Sequence, residues 1–238
     1  MEKLKEILAI IPARGGSKRI ERKNLKLILN KPLIAYSIEA SKKSKFITKT
    51  IVSSEDKEIL STAQNFGADI IIRPKELAQD TTKTAPVLVQ VIEKLESNNY
   101  KPDYIVLLQP TSPERDEKYI DSALKYFFQK EQEGFDSCFS AFKLGVTQAK
   151  WRINLDNKLT PLYDHRKRPR WQDTSEHCPL IAENGAFYAL TYEAFKKTND
   201  FIGLNPCAYI TDKMIDIDTI EDFIKVEEKL KNAKKTLS

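Results

Sequence analysis

A chain of 238 residues, 41% of them hydrophobic, can bury one substantial core, which excludes a disordered protein and fits a single α/β domain over 1–238. Lys and Arg number 39 against 34 Asp and Glu, and the resulting +5 suits anionic small molecules, acidic surfaces or nucleic acid alike. The longest apolar runs, among them Ile7–Ile11 and Tyr104–Leu108, fall far short of the ~18–20 residues of a membrane span, and the opening stretch is too short for a secretory leader.

Taken in chain order, Glu6–Ile11 reads as a buried strand, and Leu33 to Ala40 repeats apolar residues at helical spacing. Ile51–Val52 is a short strand. Ser53 or Ser54 is placed to cap a helix over Glu55–Phe66, with Gly67 just past its end. Ile70–Ile72 is the next strand, and Thr84 opens a helix with the apolar face Val87, Leu88, Val91, Ile92 and Leu95. Tyr104–Leu108 is a buried strand, followed by a helix face of Ile120, Ala123, Leu124, Phe127 and Phe128. From about Phe142 to Ile181 the pattern weakens; with Trp151–Leu155 as a strand, this stretch is expected to form a small arm leaving the sheet. Ala186–Leu190 returns as a strand, and Thr219-x-x-Asp222 resembles a capping box before the last helix.

Strands alternating with helices predict a doubly wound, mostly parallel sheet, whose ligands sit outside the carboxyl ends of the strands. The segments to inspect are therefore Pro12–Asn24, Ser53–Ser54, Arg73–Thr84 and Gln109–Arg115.

In the first of them Gly15 and Gly16 are adjacent, although the chain has only seven glycines. Glycines let a turn aim N–H groups at an anion, and Arg14, Lys18, Arg19, Arg22 and Lys23 supply cations for phosphates. The loop is neither a Walker A nor a Gly-x-Gly-x-x-Gly motif, and a plain basic surface loop is its alternative. Asp216 and Asp218, two residues apart, project to one side of an extended backbone and suit Mg²⁺, with a helix-start role as the other reading. Arg73–Thr84 and Gln109–Pro113 are polar loops, where Gln109 can read a base edge or a sugar hydroxyl unless it serves ordinary turn chemistry. The run His165–Arg170 with Trp171 could bind nucleic acid, hold a carboxylate or stay solvated. Cys138, Cys178 and Cys207 are widely spaced with no Cys-x-x-Cys, and His177-Cys178 lacks further ligands at usable spacing. These features exclude a disulfide framework, argue against a zinc site and point to a reducing cytoplasm.

Five segments together resemble the acylneuraminate cytidylyltransferase (CMP-nonulosonate synthetase) family. They are Ile11-Pro-Ala-Arg-Gly-Gly-Ser-Lys18 with Lys23-Asn24, Arg73-Pro-x-Glu-Leu-Ala-x-Asp-Thr81, Gln109-Pro-Thr-Ser-Pro113, Glu183-Asn-Gly-Ala186 and Asp216-Ile-Asp218. The resemblance implies a Rossmann-like nucleotidyltransferase fold, usually dimeric with an arm reaching into the partner. It also implies transfer of CMP from CTP to an acidic α-keto sugar with Mg²⁺ as cofactor and release of pyrophosphate. By the same resemblance Arg14, Gly15, Gly16, Ser17, Lys18, Lys23 and Asn24 meet the triphosphate, with Arg14, Lys18, Lys23 and Asp216 catalytic. Arg73, Thr84 and Gln109 lie around cytosine and sugar, Arg170 and Asn184 face the sugar, and Asp216 and Asp218 hold the metal. The implied partners are CTP, a nonulosonate sugar and a second copy of the chain, with neither nucleic acid nor membrane.

Departures bear on the acceptor. Arg19 stands where many sialic-acid enzymes carry glycine, and Ile181-Ala182 replaces a frequent aromatic–arginine pair, so sialic, legionaminic and pseudaminic acids all stay open. Two other functions compete: nucleic-acid binding through 165–171, and sugar transfer from a nucleotide-sugar with the aspartates as metal motif.

Overall fold

The run Ile7–Ile11 becomes a strand whose residues are at most 2% exposed, because it is paired on both edges and covered on both faces. In the computed structural model, residues 5–144, 151–153, 158–161 and 181–236 are described. Arg170, the 165–171 basic run, His177 and Cys178 lie outside them.

The elements are β1 (Ile7–Pro12), β2 (Leu27–Ile28), β3 (Lys31–Pro32), α1 (Leu33–Lys43), β4 (Lys49–Ser54), α2 (Lys57–Asn65), β5 (Asp69–Ile72), α3 (Thr84–Glu96), β6 (Tyr104–Leu107) and α4 (Glu117–Glu131). After them come β7 (Ser137–Lys143), β8 (Trp151–Ile153), β9 (Leu159–Pro161), β10 (Ile181–Thr191), α5 (Tyr192–Thr198), β11 (Pro206–Ile210) and α6 (Ile220–Thr236). Seven strands form one sheet in the order β11-β7-β10-β6-β1-β4-β5. Its pairs are parallel except the two made by β10, which runs antiparallel to β6 and to β7. This is the expected doubly wound, mostly parallel sheet, and one apolar cluster lies on each face. Within the weakly patterned stretch, β8 and β9 pair as a hairpin separate from the main sheet. Among the described residues no helix is long and apolar enough to cross a membrane.

The face foreseen for α3 is the one buried: Val87, Leu88, Val91, Ile92 and Leu95. Burying each such side chain contributes roughly 1.5–3 kcal/mol, whereas a capping side chain contributes about 1, and α3 has no side-chain cap. Packing therefore fixes this helix. In α4 Phe128 is only partly buried, since Phe127 takes the core position beside it.

The cap of α2 is a correction. The β4–β5 ladder continues through Ser54, so both serines belong to the strand, and Asp56 caps the helix by accepting from the N–H groups of Glu58 (2.9 Å) and Ile59 (3.0 Å). At α6 the capping box forms: Thr219 N–H donates to Asp222 Oδ2 at 3.0 Å, and Asp222 N–H donates to Thr219 Oγ1 at 3.3 Å.

Candidate active site

Loop 13–24 leaves the carboxyl end of β1 and is pinned at both ends. Ala13 N–H donates to Ser53 O at 3.0 Å, and buried Asn24 donates its amide to Arg14 O at 2.9 Å. Gly15 has to be glycine, because a Cβ there would lie 2.5 Å from Asp56 Oδ2; its N–H donates to Glu55 Oε1 at 2.7 Å. A Cβ on Gly16 would meet open space, so that glycine is not required by packing.

Carboxylates face the cations of this loop. Asp80 accepts from Arg14 at 2.5 Å and pairs with Lys18, and those bonds, Lys18 first, hold its carboxyl below the ordinary range. Arg22 reaches Asp56 (2.6 Å) and Glu58 (2.5 Å), which helps hold its backbone at φ 52°, a left-handed value unusual for arginine. Two cations turn toward the distant aspartates. Lys23 Nζ donates to Ile217 O at 2.6 Å and lies 3.5 Å from Asp218, while Arg19 lies 3.3 Å from Asp218.

The aspartate segment is not a strand, yet it is firmly held. Ile217 is fully buried and its N–H donates to Thr111 O at 3.0 Å, leaving Asp216 and Asp218 on either side of an inward-pointing residue. Asp216 is open to solvent on one side but walled by protein on the others. Enclosure, then the neighbouring Asp218, push its carboxyl above the usual range, against a hydrogen bond from Thr111 and the charge of Lys23. Among the described residues no cluster of three or more metal-ligating side chains exists. Mg²⁺ needs only one or two carboxylates beside water and substrate phosphates, so two mutually repelling carboxylates fit such an ion.

Asp216 opens into a cleft of ≈ 760 Å³ walled by Gln109, Phe142, Glu183, Tyr188 and Lys213. A groove of ≈ 830 Å³ between β5 and α3 is slightly larger, but it includes Lys49 and Asp69, the first residues of their strands, and none of the carboxyl-end loops. Size alone does not select the site.

The remaining sequence-predicted residues divide. Arg73 is buried and donates to Ser53 Oγ (3.3 Å) and Ser53 O (2.7 Å), with burial pushing its guanidinium down from its ordinary value. Thr84 is half-buried at the first turn of α3. Ser17 is half-buried in the loop, its N–H donating to Gly15 O at 3.1 Å. Asn184 lines the same cleft beside Glu183, and its side chain is bonded to protein groups. Its Oδ1 accepts from Ser140 Oγ and from Ala186 N–H (3.1 Å), and its amide nitrogen reaches Thr211 Oγ1 (3.0 Å) and Tyr119 OH (3.3 Å). Those bonds use up its side chain inside the protein, where it fixes the irregular turn of β10 at Gly185, φ 73°.

Sequence reasoning missed Glu55, Asp56 and Asp80 as partners of the basic loop, and Glu183, Tyr188 and Lys213 as cleft walls. Asp80 and Glu183 lie inside the quoted motifs, but which cation or wall each meets is set by segments tens of residues away that the sheet order brings together. The motif Glu183-Asn-Gly-Ala186 pointed at the right turn but not at the Glu183 carboxylate, which accepts from Tyr188 OH at 2.8 Å.

A family model for cytidylyltransferases matches residues 8–236. The chain belongs to the cytidylyltransferase family. It is 32% identical over 218 residues to the pseudaminic acid cytidylyltransferase of Campylobacter jejuni subsp. jejuni serotype O:2, covering 90% of this chain and 92% of that one. It is also 32% identical over 240 residues to the N-acylneuraminate cytidylyltransferase of Escherichia coli O18:K1:H7, covering 97% of this chain and 54% of the longer relative. A solved CMP:2-keto-3-deoxy-manno-octonic acid synthetase complexed with CTP superposes with a TM-score of 0.70 at 17% identity, over 96% of this chain and 99% of that one, a likeness of fold. The chain is thus a CTP-dependent cytidylyltransferase of Rossmann-like fold.

Proposed function

We propose that this cytidylyltransferase moves CMP from CTP to a nine-carbon acidic α-keto sugar of the sialic, legionaminic or pseudaminic type. The relatives that act on pseudaminic and N-acylneuraminic acids support the sugar class. The observation that carries the reading is the meeting of Lys23 with the Ile217 carbonyl, which joins the N-terminal basic loop to the aspartate pair at one end of the sheet.

In this reading the sugar's anomeric hydroxyl oxygen bonds to the α-phosphorus, the bond from that phosphorus to the bridging oxygen breaks, and pyrophosphate leaves with the electron pair. Asp216 is the candidate acceptor of the hydroxyl proton. Arg14, Lys18 and Lys23 balance charge growing on the departing pyrophosphate, with loop N–H groups beside them. Arg73, Thr84 and Gln109 surround cytosine and ribose. Asp216 and Asp218 would hold Mg²⁺, which when bound lowers repulsion between the polyanion and the incoming oxygen. Arg170, on an arm that would meet a second copy of the chain, faces the sugar carboxylate.

The test is pyrophosphate release from CTP and Mg²⁺ with a panel of sialic, legionaminic and pseudaminic acids. Release with one panel member names the acceptor; folded protein that releases none with any member overturns the reading. Arg170→Ala is expected to raise the sugar KM about 10–100-fold, the weight of a charged hydrogen bond, while the CTP KM stays within about twofold. Equal rises in both would contradict the assignment.

Asp80 occupies the cations that the triphosphate would use, so Asp80→Asn is expected to tighten CTP binding. These ion pairs are exposed and salt-screened, so freeing Arg14 and Lys18 together gives only about a 2–10-fold lower Kd, shrinking as salt is raised. Calorimetric titration at two ionic strengths checks this.

A further inference from the structure

Arg115 is a fully buried charge with no ion partner among the described residues. It is 1% exposed, no carboxylate lies within ion-pair distance among the described residues, and its Nε has no hydrogen-bond partner. Burial alone is enough to bring its guanidinium down to about 10. A buried charge left in this state is costly to desolvate. Its bonds indicate what it does. Nη1 donates to Gln109 O (3.2 Å) and to Ala186 O (2.7 Å), and Nη2 donates to Ser37 Oγ (2.5 Å), which in turn donates to Gln109 O (3.3 Å).

One planar group thus ties α1, the loop after β6 and the irregular turn of β10 together. The same short loop also carries Thr111, which accepts from Ile217 N–H at 3.0 Å, and Glu114, which accepts from Ile215 N–H at 3.3 Å. Gln109 and the Asp216 segment, which line the same cleft, therefore share a foundation, and Arg115 anchors it. The basic loop at 13–24 makes no bond to Arg115.

We infer that Arg115 is a positioning residue, one that sets Gln109 and the β10 turn against the Asp216 segment so that sugar and α-phosphate meet in line. This rests on the function proposed above. Lysine cannot reproduce the fork, since an ammonium on a flexible stem does not hold two carbonyls and a hydroxyl in one plane. Loss of the tie loosens orientation without touching the triphosphate's own cations, and misorientation lowers turnover rather than affinity.

The experiment compares Arg115→Lys, Arg115→Met and Ser37→Ala with the unaltered enzyme, using CTP, Mg²⁺ and the accepted sugar. The expected result is a kcat about 10–100-fold lower in both Arg115 variants and about 3–10-fold lower in Ser37→Ala, with the CTP KM within threefold throughout. Ser37→Ala removes one hydroxyl and no charge, so it keeps the test open if Arg115→Met fails to fold. Hydrogen exchange in the same proteins should quicken at residues 109–116 and 184–188 but not at 13–24. A purely structural arginine would lower the melting temperature and leave kcat per folded molecule unchanged, and that result overturns the inference. So does a CTP KM that rises as much as kcat falls, or unchanged exchange in the two segments. An unaltered enzyme inactive with every sugar would instead overturn the proposed function, and the exchange pattern would still decide the role of Arg115.

Discussion

Asp216→Asn is expected to lower turnover by about 10²–10³-fold while leaving the fold intact or slightly more stable at neutral pH. The activity loss follows from removing the member of the aspartate pair that lines the cleft; electrostatic groups aimed at developing charge are each responsible for roughly 2.7–4 kcal/mol. The stability effect follows from linkage. Enclosure and the nearby Asp218 raise the folded-state pKa of Asp216, so ionising it opposes folding. That penalty is fully present above the raised pKa and is gone below the ordinary carboxylate range near pH ~4. Asparagine never carries it. The melting temperature of Asp216→Asn should therefore match or exceed that of the unaltered protein at pH 7, with the difference narrowing as the pH approaches 4. Melting curves at the two pH values check the sign. Turnover followed across a magnesium titration checks the metal role, since activity retained at every concentration would remove it.

The fold was legible where one physical rule dominates. The face of α3, the central strand and the reciprocal cap of α6 come from apolar spacing or from a side chain bonding to its own neighbourhood, and both are local. Strand β7 was not legible, although it lies inside the sheet, because the buried Ser137 and Ser140 interrupt its apolar pattern. Their hydroxyls are satisfied at long range: Ser140 Oγ accepts from Phe187 N–H at 3.0 Å, and Ser137 Oγ accepts from Gly203 N–H at 2.9 Å. Strand β11 was hidden for a related reason, being an edge strand with only Cys207 fully covered.

At the site, residue type with position after a strand marked the basic loop, and residue type with two-residue spacing marked the aspartate pair; the structure brings them into contact. Whether a marked side chain faces the cleft or the interior could not be read this way. Asn184 and Asn24 both carry amides suited to a ligand, yet one is consumed by four protein groups and the other braces the loop through Arg14 O. The direction of a side chain depends on partners supplied by other strands, and no spacing in the chain encodes them.

Lys23→Met is expected to lower kcat/KM for CTP by about 30–1,000-fold, the equivalent of roughly 2–4 kcal/mol in lost electrostatic stabilisation. Its side chain is only 15% exposed, and it is the better covered of the two cations that bridge the halves of the site, reaching both Ile217 O and Asp218. Two effects therefore combine in this variant, and they are separable. The Ile217 carbonyl loses its 2.6 Å partner, which costs about 1–3 kcal/mol of stability where water cannot replace it and less where it can. The pyrophosphate loses a counter-charge, an effect on the transition state that the melting temperature does not record. Lys23→Arg keeps the charge but changes the reach, so it should recover part of the CTP affinity even if the carbonyl bond is not remade. A lysine acting only as a clamp would give the opposite pattern: stability and activity falling together, with calorimetric CTP affinity unchanged in both variants. Activity falling well beyond stability in Lys23→Met, with partial recovery in Lys23→Arg, is the combination that a phosphate partner requires.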